Sequence, residues 1–433
     1  MSTNPSSASP LLPRPGTRAG VTLLGIDEPQ RAPPGLPGGA LWQLGFRPFY
    51  LLAGTFASVS IALWALQFSG WLPRAYLAGP LWHAHEMVFG YALAVIVGFL
   101  FTAGRNWSGQ PTPTGTRLMA LALLWLAGRV LVLTPWGWAA ALVNAAFPFA
   151  AALGLASALV RGGNRRNYFF VGLLVLLGAA QFAVHLVQLQ VLALPGWLGI
   201  RVGLDLLLFI MTVMAGRVIP MFTNNGVAGA TARRHRQLEW LVMAGATARR
   251  HRQLEWLVLA SVLALLAADG AALQGPALAA VLVVGAAAHL LRLLLWQPWR
   301  TLRTPLVWVL HAAYAWIVLY LGLRAAAELG ALAPSLAVHA LTVGAVGSLT
   351  LGMMTRTSRG HTARPLLADG FDLACYLVVQ AAALVRVVLP MVAPAHTMTA
   401  VLGSAALWSL AFGVFTLRYW PVLTRARLDG KPG

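Results

Sequence analysis

The chain is short of charge. Asp, Glu, Lys and Arg make up 10% of its 433 residues, where a soluble domain carries about 25%. A water-solvated globular surface is therefore excluded for most of its length. Acids are scarcer still, 11 against 31 bases. The formal charge of +20 would suit nucleic acid if it formed a basic face on a soluble domain. Here the bases stand between apolar segments, so no nucleic-acid partner is expected. There is a single cysteine, Cys375, inside an apolar run. Intrachain disulfides, thiolate iron–sulfur clusters and the paired-cysteine attachment of c-type haem are thereby removed. Any metal must be held by histidine, methionine or carboxylate. Residues 1–40 are proline-rich and lack an apolar core of signal-peptide length, so they read as a disordered cytoplasmic tail. Strand-like alternation of apolar and polar residues is absent too.

What is present is apolar, 59% of the residues. Long unalternated windows fall near 49–69, 84–104, 117–134, 137–160, 168–189, 198–220, 254–269, 275–296, 305–327, 335–355, 370–390 and 397–417. About 20 apolar residues are needed to cross a bilayer as a helix, and only helices or closed barrels satisfy the backbone in lipid. The expected fold is all-α: a polytopic membrane domain of about twelve transmembrane helices over residues 41–423, with 424–433 as a second cytoplasmic tail. The third and seventh windows are short. The lipid bilayer is the expected partner.

Orientation follows from Lys and Arg. Among the 31 bases, Arg74 and Arg324 alone fall in one set of alternate connections, and Arg129, Arg201, Arg292 and Arg386 fall inside windows. All the others lie in the opposite connections and the two tails. By the positive-inside rule the crowded side is cytoplasmic, which puts both termini there and makes a bacterial inner membrane the expected location.

One stretch is anomalous. AGATARRHRQLEWLV occurs at Ala228–Val242 and again at Ala244–Val258. Repeat architectures show longer, degenerate periods and at least three copies. Two identical copies sixteen residues apart read as an in-frame duplication, or an error in the sequence. Only the second copy continues into a spanning run, so the first is expected in a duplicated cytoplasmic loop segment (228–258).

Ionisable side chains inside lipid are costly, so each is a functional candidate. His83, His85 and Glu86 open the second window at its outer end. His185 lies four residues from the outer end of the fifth window, about 6 Å deep, and His339 in the tenth window matches it. Arg201 and Asp205 occupy the outer part of the sixth window, with Arg129 and Arg386 also toward that side. On a regular helix His83 and His85 point in nearly opposite directions, while His83 and Glu86 share a face. Imidazole suits haem iron and copper. His83, His85, His185 and His339 are therefore candidate ligands; hydrogen-bonded interhelical histidines are the plainer alternative. The surplus of arginine over Glu86 and Asp205 would suit an anionic cofactor such as haem through its carboxylates, although Arg201 and Asp205, four apart, can also pair with each other. His311 and His361 are further possible ligands, the first in the inner half and the second in a loop; His289 fits polar packing better. Gly344, Ser348 and Gly352 recur every four residues, a spacing that lets helices approach closely.

Four stretches resemble the NnrS family of membrane proteins: GFRPFYLLAG (Gly45–Gly54), LWHAHEMVFGYALAVIVGFLFTAGRNWSGQP (Leu81–Pro111), GRVIPMFTNNG (Gly216–Gly226) and HALTVGAVGSLTLGMMTRTSRGHTARPL (His339–Leu366). The resemblance runs from about Leu41 to Arg418. It implies a haem- and copper-containing protein linked to denitrification and to nitric oxide tolerance, with nitric oxide as the small ligand. The family's histidines match at His83, His85, His339 and His361. Ala363 stands where the family pattern has Gly, and the sixteen-residue repeat is foreign to it.

Two other classes compete. A secondary transporter would also have twelve helices, but it should show paired broken helices in its two halves, and only the Gly-Arg-Val-Ile-Pro stretch at Gly216–Pro220 suggests a break. A terminal-oxidase-like enzyme would use an adjacent His-His pair, which this chain lacks. The topology is open to direct measurement. Reporter fusions at Gly433 and near Arg74 are expected to give opposite readouts; equal readouts would refute the assignment.

Overall fold

Proline or glycine stands at or just before the first residue of most of the long helices, and apolar side chains fill nearly everything between. The computed structural model describes residues 39–71, 76–77, 79–227 and 246–431, and among these there is no strand. Twelve long helices follow in order: α1 (Phe46–Phe68), α2 (Gly79–Ser108), α3 (Gly115–Leu131), α4 (Gly137–Arg161), α5 (Tyr168–Gln188), α6 (Leu198–Gly226), α7 (Ala246–Gly270), α8 (Pro276–Leu295), α9 (Pro305–Glu328), α10 (Pro334–Gly360), α11 (Gly370–Val392) and α12 (Thr397–Thr424). Eleven are long and apolar enough to cross a membrane. The exception is α3, whose 17 residues reach about 25 Å. The chain is an all-α polytopic membrane protein.

Sequential neighbours pack on one another, and α12 returns to pack along α1. The most buried helices are α2 and α6, with 78% and 72% of their apolar windows inside the protein, against 33% for α7 and α11. Helices buried all round form a core; those half exposed face lipid. Exposed tryptophans mark two flanks. Trp71, Trp136 and Trp197 follow or precede helices on the arginine-poor side, and Trp256, Trp299 and Trp420 stand at the other, as the amphipathic indole prefers at a membrane boundary.

Two of the inner helices are not regular. After the short α segment Gly79–His85, α2 widens into a π segment at Glu86–Ala92. The same happens in α10, where α segment Pro334–His339 gives way to π segment Ala340–Gly347. Both irregularities begin one residue beyond a candidate histidine, and π segments of this kind concentrate at functional sites. The expected break in α6 is not there. The helix runs through Pro220 to Gly226, with the Thr223 hydroxyl donating back to the Ile219 carbonyl at 2.8 Å. The irregular helices are thus the second and the tenth, which are not corresponding members of two six-helix halves.

The small-residue stripe on α10 serves two neighbours. Gly344 lies against Trp316 and Gly352 against Val309, both on α9, while Ser348 accepts a hydrogen bond from Gln380 of α11 at 2.7 Å. At the arginine-rich end, Asp369 caps α11 in a capping box with Asp372, and Arg359 reaches both carboxylates. Ala363 holds φ +59°, a left-handed backbone that suits glycine and strains an L side chain.

The first copy of the duplicated segment lies outside the described residues. The second forms the start of α7, and its Glu255 accepts two hydrogen bonds from Arg292 of α8, at 2.9 and 2.5 Å. One copy thus suffices to begin the helix, and loops tolerate changes in length. Deleting Ala228–Met243 is expected to leave membrane insertion and folded yield unchanged; a collapse of yield would show the first copy to be structural.

Candidate functional site

The polar residues of the arginine-poor half gather into two groups on opposite sides of α2. His83 and His85 are two residues apart, so their side chains diverge by about 200°, and each belongs to a different group.

The first group is sealed. His85, Glu86 and His185 are fully buried, and Arg129 is 6% exposed. The Glu86 carboxylate meets His85 Nδ1 at 2.7 Å and accepts from Arg129 Nη1 at 2.6 Å. Arg129 also donates to Asn144 Oδ1. Asn144 in turn donates to the carbonyls of Gly128 and Ala140 at 3.2 and 2.8 Å, and Gln181 Nε2 donates to Asn144 Oδ1 at 3.1 Å. Glycine at position 90 makes the arrangement possible, since a Cβ there would stand 2.7 Å from Arg129 Nη1 and 2.8 Å from Phe56. The rings of His85 and His185 are 4.8 Å apart at 75°. His85 has Nδ1 on Glu86; His185 has Nδ1 3.4 Å from the Tyr76 hydroxyl, and its buried Nε2 has no partner. Burial pushes the Tyr76 hydroxyl up to about 12, so it remains protonated. His85 Nε2 lies 3.4 Å from Gln181 Nε2, so His185 Nε2 is the unpartnered ring nitrogen of the pair; a carboxylate or phenol behind the other nitrogen is how proteins orient metal-ligating histidines.

The second group lines a cavity of about 830 Å³ between α1, α2, α6, α7, α9, α10, α11 and α12. On one wall are His83 and His339, with ring planes within 9° and centroids 6.3 Å apart. Trp64 stacks on His83 at 4.9 Å. His339 Nδ1 lies 2.6 Å from the Ser335 carbonyl, which leaves Nε2 as its available nitrogen; His83 Nδ1 is buried without a partner. Arg386 lines the same wall, and the far wall carries Arg201, Asp205, Asp269, Tyr320, Arg324 and Glu328. Apolar side chains such as Met87, Val343 and Trp408 supply much of the remaining surface.

The candidates therefore divide. His83, His339, Arg201, Arg386 and Asp205 share the cavity; His85, His185, Glu86 and Arg129 share the sealed cluster. Glu86 does not join His83, as a regular helix would have it. The π segment begins at Glu86, and the guanidinium of Arg129 draws the carboxylate to the His85 side. Arg201 and Asp205 make no ion pair among the described residues. His311 belongs to neither group: its ring nitrogens meet the Val307 carbonyl at 3.1 Å and Thr223 at 3.4 Å. His361 lies past the end of α10, its ring 5.7 Å from that of Phe46. His289 is bound to Tyr314 at 2.8 Å. Asn144 and Gln181 went unremarked in the sequence although both are amides set in apolar windows, and Asp269 and Glu328 stand at helix ends where acids are unremarkable. Among the described residues no three His, Cys, Asp or Glu side chains converge as a metal cage.

This is a polytopic helical membrane protein with two histidine pairs, one buried and sealed and one half-buried, facing a cavity with charged walls. The family description "NnrS protein" matches residues 40–427, and the chain belongs to that family, which is linked to the nitric oxide response. No curated protein matches the chain.

The sealed cluster gives a measurable consequence. Removing one partner of a buried ion pair leaves the other charge uncompensated, at a cost of about 3–5 kcal/mol. Arg129→Ala is expected to lower unfolding stability by that amount, and Arg129→Met with Glu86→Gln to recover most of it. Denaturation of the purified variants checks this; a loss below about 1 kcal/mol would mean that the pair behaves as a solvent-exposed one.

Proposed function

We propose that this protein is a haem- and copper-binding membrane protein of the nitric oxide response, set in a bacterial inner membrane with both termini cytoplasmic. The observation that carries the reading is the His83–His339 pair on the wall of the 830 Å³ cavity. They present two imidazoles side by side to the cavity, with ring centroids 6.3 Å apart. Cofactor pockets occupy about 300–1,000 Å³ and are mostly apolar with a few placed polar groups, and this cavity has that character. Arg386 has no hydrogen-bond or ion-pair partner among the described residues, and a guanidinium matches a carboxylate in a bidentate pair. Arg386 and Arg201 are the residues we assign to haem carboxylates, and His83 and His339 those we assign to iron.

When bound, haem would supply a redox-active iron to the cavity. The chain does the positioning. Trp64 stacks on the His83 ring and fixes its plane, and the Ser335 carbonyl fixes the tautomer of His339. Copper falls to the other pair: His85 and His185, held by Glu86 and Tyr76, offer two imidazoles to a single ion.

Absorption spectra and metal analysis of purified variants test the assignment. His83→Ala and His339→Ala are expected to abolish or shift the Soret band, and His85→Ala and His185→Ala to lose copper while keeping haem. His289→Ala should do neither. Arg386→Ala should retain haem less firmly, because one charge-assisted contact of about 1.5–3 kcal/mol is lost. If His289→Ala loses the haem while the cavity variants keep it, the assignment is wrong. A wild-type protein with no Soret band would favour a transporter of a small solute.

A further inference from the structure

The wall of the cavity opposite the histidines holds a buried acid with no hydrogen-bond partner. Asp205 of α6 is 1% exposed, and neither of its carboxylate oxygens has a hydrogen-bond partner. Asp269 of α7, also 1% exposed, lies within side-chain hydrogen-bonding reach of it. Two carboxylates are both acceptors, so they cannot bond to each other unless a cation stands on one of them.

The nearest buried guanidinium is engaged elsewhere. Arg324 of α9 spends Nη2 and Nη1 on the two oxygens of Asp269, at 2.6 and 2.9 Å. Its Nε donates to Glu328 at 3.2 Å, and Nη1 also reaches the Tyr320 hydroxyl at 3.4 Å. The second oxygen of Glu328 accepts from the backbone N–H of Gly275 at 3.1 Å. Arg201, one turn before Asp205, is exposed and makes no bond to it. Asp269 and Glu328 are thus satisfied by Arg324 and the Gly275 backbone, while both oxygens of Asp205 are left without a hydrogen-bond partner. Asp205, Asp269, Glu328, Arg201 and Arg324 are all among the residues that line the cavity.

We propose that Asp205 is the binding site for one monovalent cation, a proton or a sodium ion, taken up through the cavity. A multivalent metal does not suit the position, because no group of three His, Cys, Asp or Glu side chains able to hold one converges there among the described residues. An uncompensated buried carboxylate is too costly to persist, whereas hard oxygen donors suit Na⁺ and a carboxyl pair suits a shared proton. The site does not depend on the haem reading. It belongs to the protein with or without a cofactor, and its occupancy sets the charge of the wall that any occupant of the cavity faces.

The test uses the full-length purified protein and Asp205→Asn, whose amide can donate to Asp269 and so supplies the missing partner without a cation. One arm measures unfolding temperature in NaCl against choline chloride at equal ionic strength. A sodium site is expected to give a saturable rise of roughly 2 °C or more in the wild type and none in Asp205→Asn. The other arm is infrared difference spectroscopy at neutral pH, where a proton site gives a carboxylic-acid C=O band that disappears in Asp205→Asn and shifts in deuterium oxide. Either signal, specific to the wild type, supports the proposal and names the ion. A wild type that shows neither, or signals equal in both proteins, overturns it. The wild-type measurements stand alone if the variant fails to fold.

Discussion

The Glu86–Arg129 pair governs the arrangement of the arginine-poor half. A carboxylate and a guanidinium 2.6 Å apart, both withdrawn from solvent, fix three things at once. They tie α2 to α3, they hold a hydrogen-bond acceptor against His85 Nδ1, and through Asn144 they extend to α4. Because a buried charge without its partner is so costly, the pair leaves α2 little rotational freedom. With His85 turned to the sealed side, His83 has to face the cavity. Gly90 is the complement, since any side chain there would occupy the space that the guanidinium crosses.

Separate environments follow for two histidines that are near neighbours in the chain. One lies among groups that are fully buried and hydrogen-bonded to one another, where only a small ion could be accommodated. The other borders a cavity large enough for a macrocycle, with arginines at its sides. Cofactor chemistry in proteins is tuned by such surroundings more than by the identity of the ligand, so a chain that presents identical imidazoles to two environments can hold two different centres.

Much of this was legible in the sequence, for physical reasons that can be named. Apolar windows marked the helices because lipid forbids other secondary structure that leaves backbone groups unpaired, and the window 117–134 already stood out as short, as α3 proved to be. The intramembrane ionisable residues were visible because such residues are rare. Depth alone suggested a single layer, however, and the division of that layer into two groups needed the rotation of each helix. Glu86 shows why: its side was decided by Arg129 and by a π segment that no spacing rule anticipates. Pro220 looked like a break, yet α6 passes through it. Asn144 and Gln181 carry no charge and so raised no alarm, and Asp269 was hidden at a helix end although its partner Arg324 stood out as one of few bases on its side.

The two π segments have a consequence for how such a helix can change. A π turn is an α turn with one residue added, so each histidine-bearing segment is joined to the rest of its helix by a place where the chain length is one greater than packing requires. Upstream of that place the helix can be re-aimed by about a residue's rotation. Downstream, Gly98 of α2 stays seated on Phe49 and Tyr50, and Gly352 of α10 on Val309. The wide turns therefore act as couplings that separate alignment of the histidines from alignment of the bundle, and selection can adjust one without disturbing the other.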